Sequence, residues 1–364
     1  MGAFLAAATS LTLAWWLAGR QRRRLAVAAS WRHESPDGAR QQLDRWRRRV
    51  TADHLLFIGI CPTGAATATW HQWQALVGDT PAAGTLNLAM IAIAVYWLRV
   101  HATDGRYPNV TATARTTAPV IAVAFTGLAT IHLTGWLGIW ALWAAALLIR
   151  NAWLPRWTST TTRLGVEPRS RLETLRRFSG VGKTQWLVEP DSDNASATGG
   201  PPWQRVVLGG RLMSRLSPAE LDAVVAHELG HVHLYHRLRY YAPIALGYLP
   251  LFLLLGQPGP LAAAIGLPEQ ASATERLTWL LLMEPVLAFL AAPLGNLHRR
   301  HLELEADRFA TGVVPARYLA SALERLGGQD NTEPSPDRWY DLFTRGYPTL
   351  AQRQQRLMGH VETP

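Results

Sequence analysis

The sequence predicts a mainly α, polytopic membrane protein of about seven transmembrane helices, with a small β element beside a further helical region. Three observations carry that expectation. Hydrophobic residues fill 48% of the 364 positions, and several apolar stretches approach or exceed the ~20 residues that cross a bilayer. The 16 tryptophans often stand near the ends of those stretches, as interfacial anchoring requires. Arginines cluster beside the same runs, as Arg20, Arg22, Arg23 and Arg24, and again as Arg45, Arg47, Arg48 and Arg49. This is the positive-inside pattern, and it accounts for the net charge of +10 without a nucleic-acid partner.

Residues 2–19 are apolar, with no basic residue before them and a basic cluster after. That is the reverse of a secretory signal, and it reads as an uncleaved anchor with its N-terminus outside. Apolar stretches follow at 55–77 and 82–98, so three spans place Arg99, Arg106 and Arg115 inside. Residues 118–149 are too long for one perpendicular helix and short for a hairpin, with Thr134-Gly135 as a break. A hairpin is favoured because the next segment carries Arg150, Arg156, Arg163, Arg169, Arg171, Arg176 and Arg177. A single span would put all of these outside. Residues 1–150 are thus expected to form an N-terminal membrane domain of about five spans. Cys61 is the only cysteine, which excludes disulfides within the chain and argues against thiolate zinc ligation. His71 and His132 fall in spans, where a polar side chain usually faces the bundle interior.

Residues 151–239 are expected to form a catalytic region. A polar linker at 157–162 leads to a helix at 172–178, and β-prone runs at 186–188 and 205–208 flank a Gly/Pro-rich turn. Residues 180–184 (GVGKT) are similar to a phosphate loop, but its first glycine would fall at Arg177, so a flexible loop is preferred. Ser217-Pro218-Ala219-Glu220 then supplies an N-cap serine, an N1 proline and a capping-box glutamate. Leu221, Val224 and Val225 follow as an apolar face, and the helix ends in His227-Glu228-Leu229-Gly230-His231. Two histidines four apart on one helical face can grip one metal ion, and a glutamate beside the first can polarise a metal-bound water. His233 and His236 lack that spacing beside a glutamate and read as partly exposed histidines near a helix end.

A transmembrane hairpin is expected over 240–297, from apolar stretches at 241–267 and 277–297, with Glu269 and Glu275 in its loop. Its ends, Arg237/Arg239 and Arg299/Arg300, are basic, which again places the catalytic region inside. Glu284 in the second span is a carboxylate at membrane depth, expected to face a water-filled cavity or a partner. Beyond the hairpin, 298–364 holds a third-ligand helix and a C-terminal catalytic segment, with a polar loop at 329–337 and a short terminal helix. A catalytic zinc usually has three protein ligands. Glu303 is the candidate for the third, against the plainer reading of a solvated helix carboxylate. Asp307, on the same face, is placed to orient a ligating imidazole. Glu305 points elsewhere and reads as a surface residue.

Taken together, these motifs resemble the membrane-embedded zinc metalloproteases that include the CAAX prenyl endopeptidases and HtpX-type proteases. The resemblance covers roughly residues 186–357. It rests on Asn194-Ala195-Ser196-Ala197-Thr198-Gly199-Gly200, the HELGH helix, the two-span hairpin, Glu303/Asp307 within an EADRFA run, and Pro348 with Arg353. It implies a zincin-like catalytic region holding one Zn2+ per chain through His227, His231 and Glu303, with Glu228 as general base. It also implies a cytoplasmic catalytic face and a peptide or membrane-protein substrate taken at Asn194, Ala195 and Ala197, with Tyr347 and Arg353 at the substrate or oxyanion. Tyr347 stands where the family often has histidine, and His236 where it often has an acidic residue. The expected activity is peptide-bond hydrolysis. A competing reading is a non-catalytic zinc-binding membrane sensor, motivated by Tyr347, but a purely structural zinc has no need of Glu228. A transporter reading draws only on Glu284, His71 and His132.

Overall fold

The computed structural model describes residues 2–32, 37–60, 80–104, 108–154, 161–257, 271–327 and 337–359. They form two compact units, each assembled from separated stretches of chain. One comprises Met1–Ala146, Leu246–Pro293 and Pro334–Phe343; the other comprises Leu147–Ala245, Leu294–Glu333 and Thr344–Pro364.

In the first unit, α1 (Gly2–Arg32) packs on α2 (Asp37–Ile60), which also contacts α3 (Pro81–Asp104). The next helix, α4 (Val110–Leu148), is interrupted at Gly135, whose φ of 61° is open to glycine because it lacks a Cβ. A Cβ on Gly127 would lie 3.3 Å from Ile139. Twelve residues along a straight helix are ~18 Å apart, so the two arms fold back on each other. The break expected at Thr134-Gly135 is present, and residues 118–149 form a hairpin. Among the described residues, four helices are long and apolar enough to cross a membrane: Pro81–Leu98, Val110–Trp153, His236–Leu255 and Ala273–Thr311. Residues 2–19 lie within α1, and only 55–60 of the expected span at 55–77 are described. Cys61, His71 and Glu269 fall outside the described residues, while His132 and Glu284 are exposed.

The second unit is built around a four-stranded sheet of β1 (Thr162–Arg163), β2 (Gln185–Glu189), β3 (Ala195–Thr198) and β4 (Arg205–Gly209), in the order β1-β2-β4-β3. The two β-prone runs thus become β2 and β4, paired in parallel, and residues 180–184 are turn and loop. Strand β3 pairs antiparallel with β4 and has a free outer edge. Asn194 O accepts Gly209 N at 2.8 Å, so strand alternation turns the backbone groups of Ala195 and Ala197 towards that edge.

Helices α5 (Val166–Phe178) and α6 (Gly210–Arg215) lead to α7 (Pro218–His233), which carries HELGH. Leu221, Val225 and Leu229, four apart, bury against Leu172, Trp186, Val206 and Leu208. Small Ala223 and Ala226 let Ala310 and Leu319 pack against another side of α7. After α8 (His236–Leu255), α9 (Ala273–Thr311) runs unbroken for 39 residues, ~58 Å. That is nearly twice the ~30 Å hydrocarbon thickness, so one helix serves as both the expected second span and the support of Glu303. Glu275, expected in the loop, instead caps the first turn of α9 by accepting Ser272 N at 2.6 Å. Helices α10 (Ala316–Gly327), α11 (Arg338–Thr344) and α12 (Leu350–Gly359) complete the described chain, with two short helices where one was expected.

The capping box at the start of α7 is formed: Ser217 N donates to Glu220 Oε2 at 2.8 Å, and Glu220 N to Ser217 Oγ at 3.4 Å. Glu220 is also buried and joins α10 through Ser321 at 2.5 Å and Arg325 at 2.9 Å. Loss of the cap and of these partners in Glu220→Ala is expected to destabilise the unit by about 2 kcal/mol. Denaturant unfolding of the variant should show an earlier midpoint at unchanged slope.

Candidate metal centre

Helical spacing alone places His227 and His231 on one face of α7, but bringing Glu303 to them requires α9 to approach closely. Gly230 permits that approach, since a Cβ there would meet Phe309 of α9 at 3.0 Å. His227 Nε2 then lies 3.2 Å from His231 Nε2, and Glu303 Oε2 lies 3.5 Å from the first and 3.7 Å from the second. Donors about 2.0–2.1 Å from a tetrahedral ion stand about 3.4 Å from one another, so the set fits zinc. Two imidazole nitrogens and one carboxylate oxygen are also a zinc-like donor chemistry, and they converge within 4.8 Å.

His227 Nδ1 lies 2.9 Å from Asp307 Oδ1, and Asp307 is gripped by Arg353 at 2.8 Å and 2.5 Å. Burial alone would lower the His227 imidazole, but the Asp307 and Glu303 carboxylates outweigh it and raise it to about 9. The field of the site thus draws positive charge onto the donor set, as a divalent cation site must. Arg353, expected at the substrate, has its guanidinium engaged by Asp307 while it also lines the cleft.

Glu228 projects beside the donors, and its Oε2 accepts the Ala197 N–H from the free edge of β3 at 2.7 Å. Burial pushes its carboxyl up, and the neighbouring histidines oppose that rise. Asn194 Oδ1 accepts the Ala195 N–H at 2.9 Å. A cleft of about 550 Å³ opens onto His227, Glu228, His231 and Glu303, with Asn194, Ala195, Ala197, Tyr347 and Arg353 among its walls. The structure therefore brings every singled-out site residue to one cleft or directly behind it.

Two expectations are corrected. His236 is buried, with Nδ1 2.9 Å from His231 Nδ1, rather than partly exposed at a helix end. Glu305 is not a plain surface residue: it pairs with His236 at 3.2 Å, Arg239 at 2.7 Å and His301 at 3.2 Å. Helical periodicity could not reveal the contacts of His236 with His231 or of Glu305 with His236 and Arg239, whereas the His301–Glu305 pair is an i, i+4 contact within α9. His233 is exposed, as expected. Glu284 belongs to the other unit.

In the sequence Arg299 stands out only as a topology signal. It lies one turn before Glu303 on α9, lines the same cleft, stacks over the Tyr347 ring at 4.4 Å and donates to the Tyr347 hydroxyl. Its i, i+4 relation to Glu303 was the available sign.

The sequence model described as Peptidase family M48 matches residues 167–360. The chain is 30% identical over 161 residues to a CAAX prenyl protease 1 homolog of Oryza sativa subsp. japonica, covering 42% of this chain and 37% of that protein. It is 26% identical over 176 residues to the uncharacterized metalloprotease YhfN of Bacillus subtilis (strain 168), covering 47% and 41%. A Protease HtpX of Pseudomonas fluorescens matches at 34% over 98 residues, 23% of this chain and 32% of that protein. The chain thus spans less than half the length of these curated relatives. The fold is similar to that of the crystal structure of S. mikatae Ste24p, with a TM-score of 0.66, 16% identity and 97% of each chain covered.

Proposed function

This chain belongs to peptidase family M48, and from that premise we propose that it is an integral membrane zinc endopeptidase holding one ion through His227, His231 and Glu303. The observation that carries the reading is the convergence of those three donors beside Glu228, in a cleft walled by the free edge of β3. Zinc held there supplies Lewis acidity, which acidifies water and polarises a carbonyl.

The protein's own groups do the rest. Glu228 takes the proton of the attacking water and passes it to the departing amine, a task suited to a carboxyl raised by burial. The Ala197 N–H holds Glu228 Oε2 in place. With both of their N–H groups engaged, by Asn194 Oδ1 and Glu228 Oε2, Ala195 and Ala197 offer outward-facing carbonyls that accept from an extended substrate laid along that edge. Across the cleft, the Tyr347 hydroxyl accepts from Arg299, and the same hydroxyl is the group that donates to the substrate oxyanion. Asp307 holds the His227 tautomer, and Arg353 holds Asp307.

The basic clusters support a catalytic face on the cytoplasmic side and an N-terminus outside. A peptide or membrane-protein substrate, met at the bilayer, follows from the cleft and from the protease names of the relatives. The full chain, purified in detergent, is expected to carry one zinc by elemental analysis and to cleave an unstructured reporter peptide. Removal of the metal with a chelator should abolish cleavage, and added zinc should restore it. Cleavage that survives complete zinc removal would sink the proposal.

A further inference from the structure

The two zinc-facing histidines are supported unequally in the sequence but equally in the structure. His227 is backed by a carboxylate clamped by an arginine, Asp307 with Arg353. Among the described residues, the atom behind His231 Nδ1, at 2.9 Å, is His236 Nδ1 rather than a carboxylate oxygen. The far nitrogen of His236, Nε2, lies 3.2 Å from Glu305 Oε2, and Glu305 receives Arg239 at 2.7 Å and 3.2 Å. This second chain also ends on an arginine-clamped carboxylate, with one imidazole interposed.

The backbone builds this arrangement on purpose-made geometry. On a continuous helix, residues five apart point about 140° away from each other, so His236 could not face His231. The chain instead breaks between α7 and α8 at Tyr235, a non-glycine residue with a φ of 53°. A residue other than glycine is strained in that left-handed conformation, and Tyr235 then starts α8 by accepting Arg239 N at 3.0 Å. The reversal swings His236 back, buried, against His231.

We propose that His236 is a positioning residue for the metal centre, fixing the tautomer and ring plane of His231 and relaying the charge of Glu305 to it. The inference rests on the zinc reading of His227, His231 and Glu303. His231 Nε2 faces the other donors, so its Nδ1 carries the proton and needs an acceptor. His236 Nδ1 is that acceptor, which leaves the His236 proton on Nε2, 3.2 Å from the Glu305 carboxylate. Each hydrogen bond sets the tautomer of the next ring, and the anchored carboxylate makes His231 a stronger donor.

The test compares His236→Phe, which keeps the ring and loses the acceptor, with His236→Asn, whose Oδ1 can stand where Nδ1 stood. Zinc dissociation constants of the full chain in detergent are measured by competition with a chromophoric chelator, alongside the thermal midpoint of the zinc-free forms. Wild type is expected to bind one zinc. His236→Phe should bind about 10–100-fold more weakly at an unchanged zinc-free midpoint, and His236→Asn should recover most of that loss. A packing role alone predicts the opposite order, with Phe tolerated and Asn impaired, and that order overturns the proposal. Equal zinc affinity in all three proteins also overturns it. Failure of wild type itself to bind zinc overturns the underlying function as well, which separates the two failures.

Discussion

Replacing Glu228 with Gln is expected to leave one zinc bound per chain and to lower the rate of peptide hydrolysis by about 10²–10⁴-fold. The amide keeps the shape of the side chain but cannot accept a proton at the attacking water. The Ala197 N–H is held by Glu228 Oε2 at 2.7 Å, and the amide oxygen of Gln can replace that acceptor. The strand edge should therefore keep its place, and substrate affinity should change little. Single-turnover cleavage, measured with zinc content and peptide binding on the same preparation, separates these effects. A variant with full zinc and full activity would remove Glu228 from the mechanism.

The second large effect is expected at Glu303. Its Oε2 lies within 3.7 Å of both histidine nitrogens, so Glu303→Ala leaves two donors where three converge. If about 10–16 kcal/mol of zinc affinity is shared among four ligands, one donor is worth roughly 3 kcal/mol, or about 100-fold. The variant should lose zinc on dialysis against a chelator that wild type withstands, and activity should fall with metal content. The substitution itself also leaves His227 without one of the two carboxylates that raise it. Zinc retention at wild-type affinity in this variant would remove Glu303 from the donor set. Glu228→Gln and Glu303→Ala thus differ in kind: the first should be inactive with zinc, the second inactive for want of it.

Much of this site is written locally. The i, i+4 spacing of His227 and His231 is a property of any helix, and the capping box from Ser217 to Glu220 starts that helix where the spacing requires it. Apolar runs and arginine clusters likewise mark membrane-crossing helices, because bilayer thickness and surface charge act on segments one at a time. The hairpin at Gly135 was legible for a related reason: charge parity demanded a return, and glycine marked where the backbone could turn.

What the sequence by itself determined was a set of elements and the chemistry they carry: the HELGH helix, the Glu303/Asp307 face, the β-prone runs and the membrane setting. The tertiary structure alone decided which of those groups meet. Periodicity extends a helix straight past Leu234, whereas Tyr235 breaks it and returns His236 to His231. It likewise placed Glu305 at the surface, though it lies in the path of Arg239 and His236 from another helix. Arg299 and Tyr347 are 48 positions apart and meet across the cleft. The physical reason is range: hydrogen-bond geometry along one helix is fixed by neighbours a turn away, while contacts between helices depend on packing, such as the bare face of Gly230 against Phe309.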